Sequence, residues 1–253
     1  MAIAESTHWY SKEGKPAYTV IGKNGKERAT TLRDAREYGF LPSVTTIMGV
    51  AAKPMLEEWK INQALMSALT LPRLPDESLD DFMARAKQDA KDQSIKAAER
   101  GTVIHADIER GFSEGVTSVA YEAVKAVLDG LCPGAKWIAE DSFGSDMGYG
   151  GKVDLYSPSG IFVDFKSKEF KDGDTGAKLV YDEHGLQLSA YAEGMGFENP
   201  RRISIFVDRN DPSKVLFYEW DADTHTRHAA MFFALLNYWQ MSKNYIPGKS
   251  EYP

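Results

Sequence analysis

The chain has 253 residues, 43% hydrophobic and 11% aromatic, which suffices for a full core and argues against disorder. No stretch approaches the roughly 18 continuous apolar residues of a membrane span, and the lone Cys132 excludes an intrachain disulfide or a cysteine-built zinc site. A formal net charge of −7 disfavours a polyanion partner held by the overall field, so such a partner would need a local cluster of Lys and Arg. Met1 to Tyr10 lacks the cationic start and apolar run of a secretory leader, and the expectation is a soluble, cytoplasmic protein without a membrane partner.

In chain order, Tyr18–Ile21 and Arg28–Leu32 read as short strands around the turn residues Gly22-Lys23-Asn24-Gly25. Ser43 is placed to cap a helix over Val44–Val50, and Pro54 to open another running through Trp59 to about Leu69. Pro72 and Pro75 end that run, Asp76 or Ser78 caps the next, and Leu79–Glu114 is rich in helix formers with an expected interruption near Gly101. Lys87, Lys91, Lys96 and Arg100 accumulate there among Asp89, Asp92 and Glu99, as either a solvated face or a face for nucleic acid.

A helix over Ser118–Leu131 precedes three strands: Lys136–Phe143, Gly151–Tyr156 and Gly160–Phe165. A helix from His184 to Met195, strands at Arg202–Val207 and Val215–Trp220, and a helix from Thr224 to Ser242 follow. The last carries an apolar stripe of Met231, Leu235, Tyr238 and Met241. This order predicts an α/β fold, a sandwich with a central mixed sheet behind a helical N-terminal half, not an alternating dinucleotide-binding pattern.

The candidate chemistry starts with Asp164 and Lys166, which period-2 alternation sets on one face of a strand, with Val163 and Phe165 on the other. An exposed edge carrying an acid and a lysine is the plain alternative. Gly151-Lys152-Val153-Asp154 ends a strand that would pair with the first through Ser157–Gly160 and bring Asp154 near Asp164. Two such carboxylates repel unless a hard cation lies between them, which suits Mg²⁺ or Mn²⁺; the alternative is two acids turned to water. His105 and Glu109, and Gln187 and Tyr191, form i,i+4 pairs on helices, and Glu140 is a further acid on the preceding strand. Each has a plain reading: a structural histidine, a surface glutamine with a half-buried tyrosine, a surface glutamate.

Taken in order, Gly101-x-x-x-His105, Glu140, Gly151-x-x-Asp154, Asp164-x-Lys166 and Gln187-x-x-x-Tyr191 resemble the RecB-type branch of the PD-(D/E)XK nuclease superfamily. Pro42–Ile47, the Trp59 helix and Arg100-Gly101 look most like mitochondrial genome maintenance exonucleases and related phage nucleases, over residues 40–195. Val153-Asp154 stands in for the usual Pro-Asp, and the second acid is Asp164 where Glu is usual.

The resemblance implies a restriction-endonuclease-like core over 96–253, with 1–95 as a hairpin and helical arch or wall in one compact unit. It implies His105, Asp154, Asp164 and the Phe165 main-chain carbonyl as ligands of Mg²⁺ or Mn²⁺. Lys166 would orient or deprotonate a water, with its pKa lowered beside the cation; Glu140 and Glu109 would hold outer waters, and Gln187 and Tyr191 would orient the site. Ser43, Lys87, Lys91, Lys96 and Arg100 would contact DNA, with Trp59 or Tyr38 able to stack on a base, although core packing is the default for Trp59. The activity implied is hydrolysis of DNA from single-stranded ends in a bacterial or phage-infected cell, alongside a recombination or replication partner. The alternatives are a structure-specific or duplex endonuclease of the same fold, or a non-catalytic DNA-binding protein on that scaffold.

Overall fold

A computed structural model describes residues 8–247. The N-terminal stretch supplies β1 (Trp9–Tyr10), a hairpin of β2 (Thr19–Ile21) and β3 (Glu27–Ala29), helix α1 (Leu32–Tyr38), β4 (Leu41–Pro42) and α2 (Val44–Met48). Next come α3 (Pro54–Thr70), α4 (Leu79–Glu114) and α5 (Val119–Leu131). Strands β5 (Ile138–Ser145), β6 (Tyr149–Ser157) and β7 (Ile161–Lys168) lead to α6 (Gly176–Leu179) and α7 (Asp182–Gly194), followed by β8 (Arg201–Asp208), β9 (Val215–Trp220) and α8 (Thr224–Lys243).

β5 to β9 form one sheet in sequence order, antiparallel except where β7 runs parallel to β8. The parallel step needs a crossover, and α6 and α7 provide it. One core gathers Ile104 and Ile108 of α4 and Val124 and Leu128 of α5 with Val163, Phe165, Ile203 and Ile205 of the sheet. The other gathers Leu186 and Leu188 of α7 and Phe232, Leu236 and Trp239 of α8 with Tyr149 and Phe162. The molecule is therefore mixed α/β, a five-strand mixed sheet flanked by helices. Arg202, wholly buried on β8, binds α7 to α8 by donating to Ser189 Oγ at 2.8 Å and Thr224 Oγ1 at 2.8 Å.

Both ends of the 9–48 stretch join the second core, Trp9, Val44 and Ile47 packing with Phe143 and Tyr149 and Ser43 bridging to Gly150, while the β2–β3 hairpin stays largely exposed. Helix α1 has no counterpart in the sequence expectations. Its first turn is held by Asp34, which accepts the Thr31 N–H at 2.8 Å and a fork from Arg28 with both bonds at 2.7 Å.

The expected interruption at Gly101 is corrected: α4 runs unbroken for 36 residues, about 54 Å at 1.5 Å per residue. It therefore crosses from residue 95 to 96 without a break. Ser78 caps its start, and Gly115 in the left-handed conformation ends it. A helical glycine costs about 1 kcal/mol, which the burial of Ile104 and Ile108 outweighs. The stripe expected on α8 is also corrected. Met231, Tyr238 and Met241 face outward, and His228, Phe232, Leu236 and Trp239 are the buried set. The helix offers apolar residues on more than one side, and the side with Phe232, Leu236 and Trp239 is the one that meets the core. Among the described residues, no helix is long and apolar enough to cross a membrane.

Candidate active site

The site forms where two strands part. The β6–β7 ladder runs from Ser157–Ile161 to Leu155–Val163 and stops. Continuing the register, Asp154 stands opposite Asp164, on the same face of the sheet. Past the last rung, the Phe165 N–H has no β6 carbonyl and donates instead to Asp154 Oδ2 at 2.8 Å. His105 reaches the gap from α4, with its ring edge-on to that of Phe165. Across β5 the ladder passes from Ala139–Leu155 to Asp141–Val153 and skips Glu140, which therefore is not paired with Asp154. Glu140 takes a left-handed backbone, φ 55°, and its carboxylate pairs with Lys152.

Asp164 is 1% exposed. Its Oδ1 accepts from Lys166 Nζ at 2.7 Å and Gln187 Nε2 at 3.0 Å, while its Oδ2 is buried with no hydrogen-bond partner among the described residues. Gln187 also accepts from Lys166 Nζ at 3.2 Å and donates to Tyr191 Oη at 2.9 Å. It is thus a buried linker, and the surface alternative for Gln187 and Tyr191 is set aside. Tyr191 comes this close because Gly151 carries no side chain: a Cβ there would lie 2.9 Å from the tyrosine ring and 2.8 Å from Phe143.

Burial pushes the Asp164 carboxyl up to about 6, against the pull of Lys166 and with the Asp154 charge adding to it. Burial works against the Lys166 ammonium too, but Asp164 and Asp154 outweigh it and its pKa goes up. That rise belongs to the protein without a cation, where two carboxylates hold the ammonium; the fall expected of Lys166 concerns the site with the ion bound. Burial draws the His105 pKa down despite Asp154, which leaves a neutral imidazole able to offer a lone pair. Tyr191 is raised well above 10 by burial and by both aspartates, so it stays a phenol.

A divalent cation suits this donor set. A buried carboxylate oxygen without a partner is expensive, and Asp164 Oδ2 is such an atom. Among the described residues, no three His, Cys, Asp or Glu side chains form a finished cage. One oxygen of each aspartate is already taken, by Lys166 and by the Phe165 amide. The remaining oxygens, the His105 imidazole and the Phe165 carbonyl are the groups that would hold the ion.

Beside the gap runs a groove between the α3–α4 pair and the ends of β7 and β8. One part, about 450 Å³, is lined by His105, Phe165, Lys166 and Trp59; the next, about 620 Å³, by Lys53, Lys96, Arg100, Lys168 and Arg209. Trp59, Ala97, Ser167 and Arg209 line both parts. Core packing for Trp59 is therefore corrected: the ring is 38% exposed and forms a groove wall. At Gly101 α4 lies against this floor, where a Cβ would make only ordinary contact with Ser167 at 3.5 Å.

The structure brings together Asp154, Asp164, Lys166, Gln187, Tyr191, His105 and the Phe165 main chain, and puts Lys96 and Arg100 on the groove. Lys87 and Lys91 are exposed on α4 but line neither part, and Tyr38 is exposed beside Phe40. Ser43 is corrected from a DNA contact to a buried cap, 3% exposed and accepting the Thr46 N–H at 3.0 Å. Lys168 and Arg209 were not anticipated. Lys168 continues the alternation of Asp164 and Lys166 and was legible; Arg209 reaches the groove only through the β7–β8 pairing.

No family model and no curated protein matches the chain. Eleven solved chains match the structure. One, the crystal structure of SSO0001, is 18% identical, with 72% of this chain and 86% of that one covered, at a TM-score of 0.30. A likeness at that score carries no argument about this chain, and its function has to be read from the site's own geometry.

Proposed function

We propose that this chain is a divalent-metal-dependent deoxyribonuclease with a restriction-endonuclease-like core of the PD-(D/E)XK type, acting as an exonuclease on single-stranded ends. One observation carries the reading: a wholly buried Asp164 shares one oxygen with Lys166 and Gln187, leaves the other without a partner, and faces Asp154 across a split between strands. An acid pair beside an ammonium, all on one sheet face, suits a phosphodiester whose charge rises during hydrolysis.

When bound, Mg²⁺ or Mn²⁺ would lower the pKa of a water and polarise the phosphate. Asp154, Asp164, His105 and the Phe165 carbonyl would hold the ion. Lys166 is close enough to orient a nucleophilic water or stabilise charge on a phosphate oxygen. Gln187 fixes Lys166 relative to Asp164, and Tyr191 fixes Gln187. A strand lying in the groove would pass Trp59, Lys96 and Arg100 on its way to the acids.

Asp164→Asn tests the reading with end-labelled single-stranded and duplex DNA in Mg²⁺, Mn²⁺ or chelator. Metal-dependent cleavage by the wild type and its loss in the variant are expected. A variant that cleaves at the wild-type rate removes the nuclease assignment. A closed single-stranded circle should survive intact; its cleavage would transfer the reading to an endonuclease.

A further inference from the structure

The larger part of the groove has a charge opposite to that of the molecule. In a chain of net charge −7, its lining holds five cations, Lys53, Lys96, Arg100, Lys168 and Arg209, against two carboxylates, Glu169 and Glu183. Lys168 is the most constrained. Its Nζ donates to the Leu179 carbonyl at 2.6 Å and sits 4.1 Å from the centre of the Tyr181 ring and 5.3 Å from that of Phe206. A carbonyl and two aromatic faces position an ammonium without cancelling its charge. Glu183 and Asp164 act on it only as nearby charges, and none of the ion pairs among the described residues includes it. Burial lowers its pKa to about 8, as befits a half-buried cation lacking a counter-ion.

Arg209 lines the same part of the groove, and its main-chain N–H donates to the Lys168 carbonyl at 2.9 Å. Its Nη2 donates to the Ser167 carbonyl at 2.9 Å and its Nε to Ser167 Oγ at 3.3 Å, while Glu169 is 3.8 Å away. Lys168 and Lys166 lie two residues apart on one strand face, about 6.7 Å, which is of the order of one nucleotide step.

We propose that Lys168, with Arg209 beside it, anchors a phosphate of the nucleic-acid strand next to the one engaged at Asp154, Asp164 and Lys166. This rests on the nuclease reading and adds to it a subsite that needs no metal. The phosphate is either an internal diester or a terminal monoester, and both present the same oxygens to the ammonium.

The test is equilibrium binding, in chelator, of labelled single-stranded oligonucleotides ending in hydroxyl, 5′-phosphate or 3′-phosphate. Wild type, Lys168→Met and Lys168→Arg are titrated across a range of salt. Lys168→Met keeps the stem that packs on Tyr181 and removes the charge; should it fail to fold, Lys168→Gln carries the same measurement. Removal of the charge should weaken binding roughly tenfold and reduce the slope of log affinity against log salt by about 0.7. Lys168→Arg should keep the slope. A loss shared by all three oligonucleotides assigns the site to an internal diester, and a loss confined to one phosphorylated end assigns it to that monoester. An unchanged slope and affinity in Lys168→Met, with the wild type binding, overturns this proposal alone. A wild type that binds none of the oligonucleotides overturns the nucleic-acid reading with it.

Discussion

Gln187 makes hydrogen bonds to Asp164, Lys166 and Tyr191, and at 8% exposure it has no other surroundings to satisfy it. Its amide is the one group that can serve an ammonium, a carboxylate and a phenol together, because it both donates and accepts. Gln187→Leu keeps much of the volume and removes all three bonds. On the nuclease reading, cleavage or metal affinity should fall by roughly 10- to 100-fold, as for other groups that orient a metal's ligands. Metal-titrated cleavage measures it, and a wild-type titration curve would deprive Gln187 of that role. Strand alternation made Asp164 and Lys166 legible as neighbours, while Gln187 and Tyr191 joined them only through the resemblance, their own spacing allowing a surface pair. Which oxygen of Asp164 is left without a partner was not legible, because it depends on how α7 brings Gln187 to the strand carrying Asp164 and Lys166.

At the scale of elements, α4 does two jobs along one axis. Its C-terminal half buries Ile104 and Ile108 against the sheet, and its N-terminal half packs on α3, where Ser67 donates to Asp89 at 2.8 Å. That continuity sets His105, Arg100 and Lys96 along one wall. Charge pattern alone gave Lys87 and Lys91 equal standing with them, since all four are exposed on one helix. The packing of α3 and β7 against α4 separates the pairs. Lys96→Ala combined with Arg100→Ala should therefore reduce the salt slope of DNA binding by about 1.4 for a single strand or 1.8 for a duplex. Lys87→Ala with Lys91→Ala should leave it near wild type. Equal losses in the two double variants would remove the groove as the strand's path.

For the whole molecule, stability should depend on pH through buried histidines. His184 is 5% exposed, and burial first, then the charges of Lys166 and Lys168, pulls its pKa down to about 3. The folded value lies below the unfolded one, near 6.5, so between these limits the unfolded chain binds a proton that the native one does not. Stability is then complete above about pH 6.5 and falls as the pH drops toward 3, by at most about 2 kcal/mol between pH 7 and pH 5 from this residue. His225 and His228, also lowered mainly by burial, act in the same direction. Urea unfolding at pH 7 and pH 5 should show a smaller pH difference in His184→Gln than in the wild type. The same difference in both would place the sensitivity in another group.

Local pattern by itself determined most elements, because alternation, caps and breakers act over a few residues: Ser43, Pro54, Ser78 and Ser118 begin helices as expected, and Asp164 and Lys166 share a strand face. It also placed Asp154 near Asp164, since a tight turn fixes the register of a hairpin. Helix α1 is not legible from period, because seven residues are too few, although Thr31 with Asp34 forms a capping box at its start and Gly39 ends it. Only the tertiary structure decided which side of α8 is buried, that Trp59 walls a groove, that Ser43 is buried, and that Arg209 joins the site through a parallel pairing. Each of these depends on which distant surface a segment meets, and burial is a property of the pair of surfaces, not of either sequence alone.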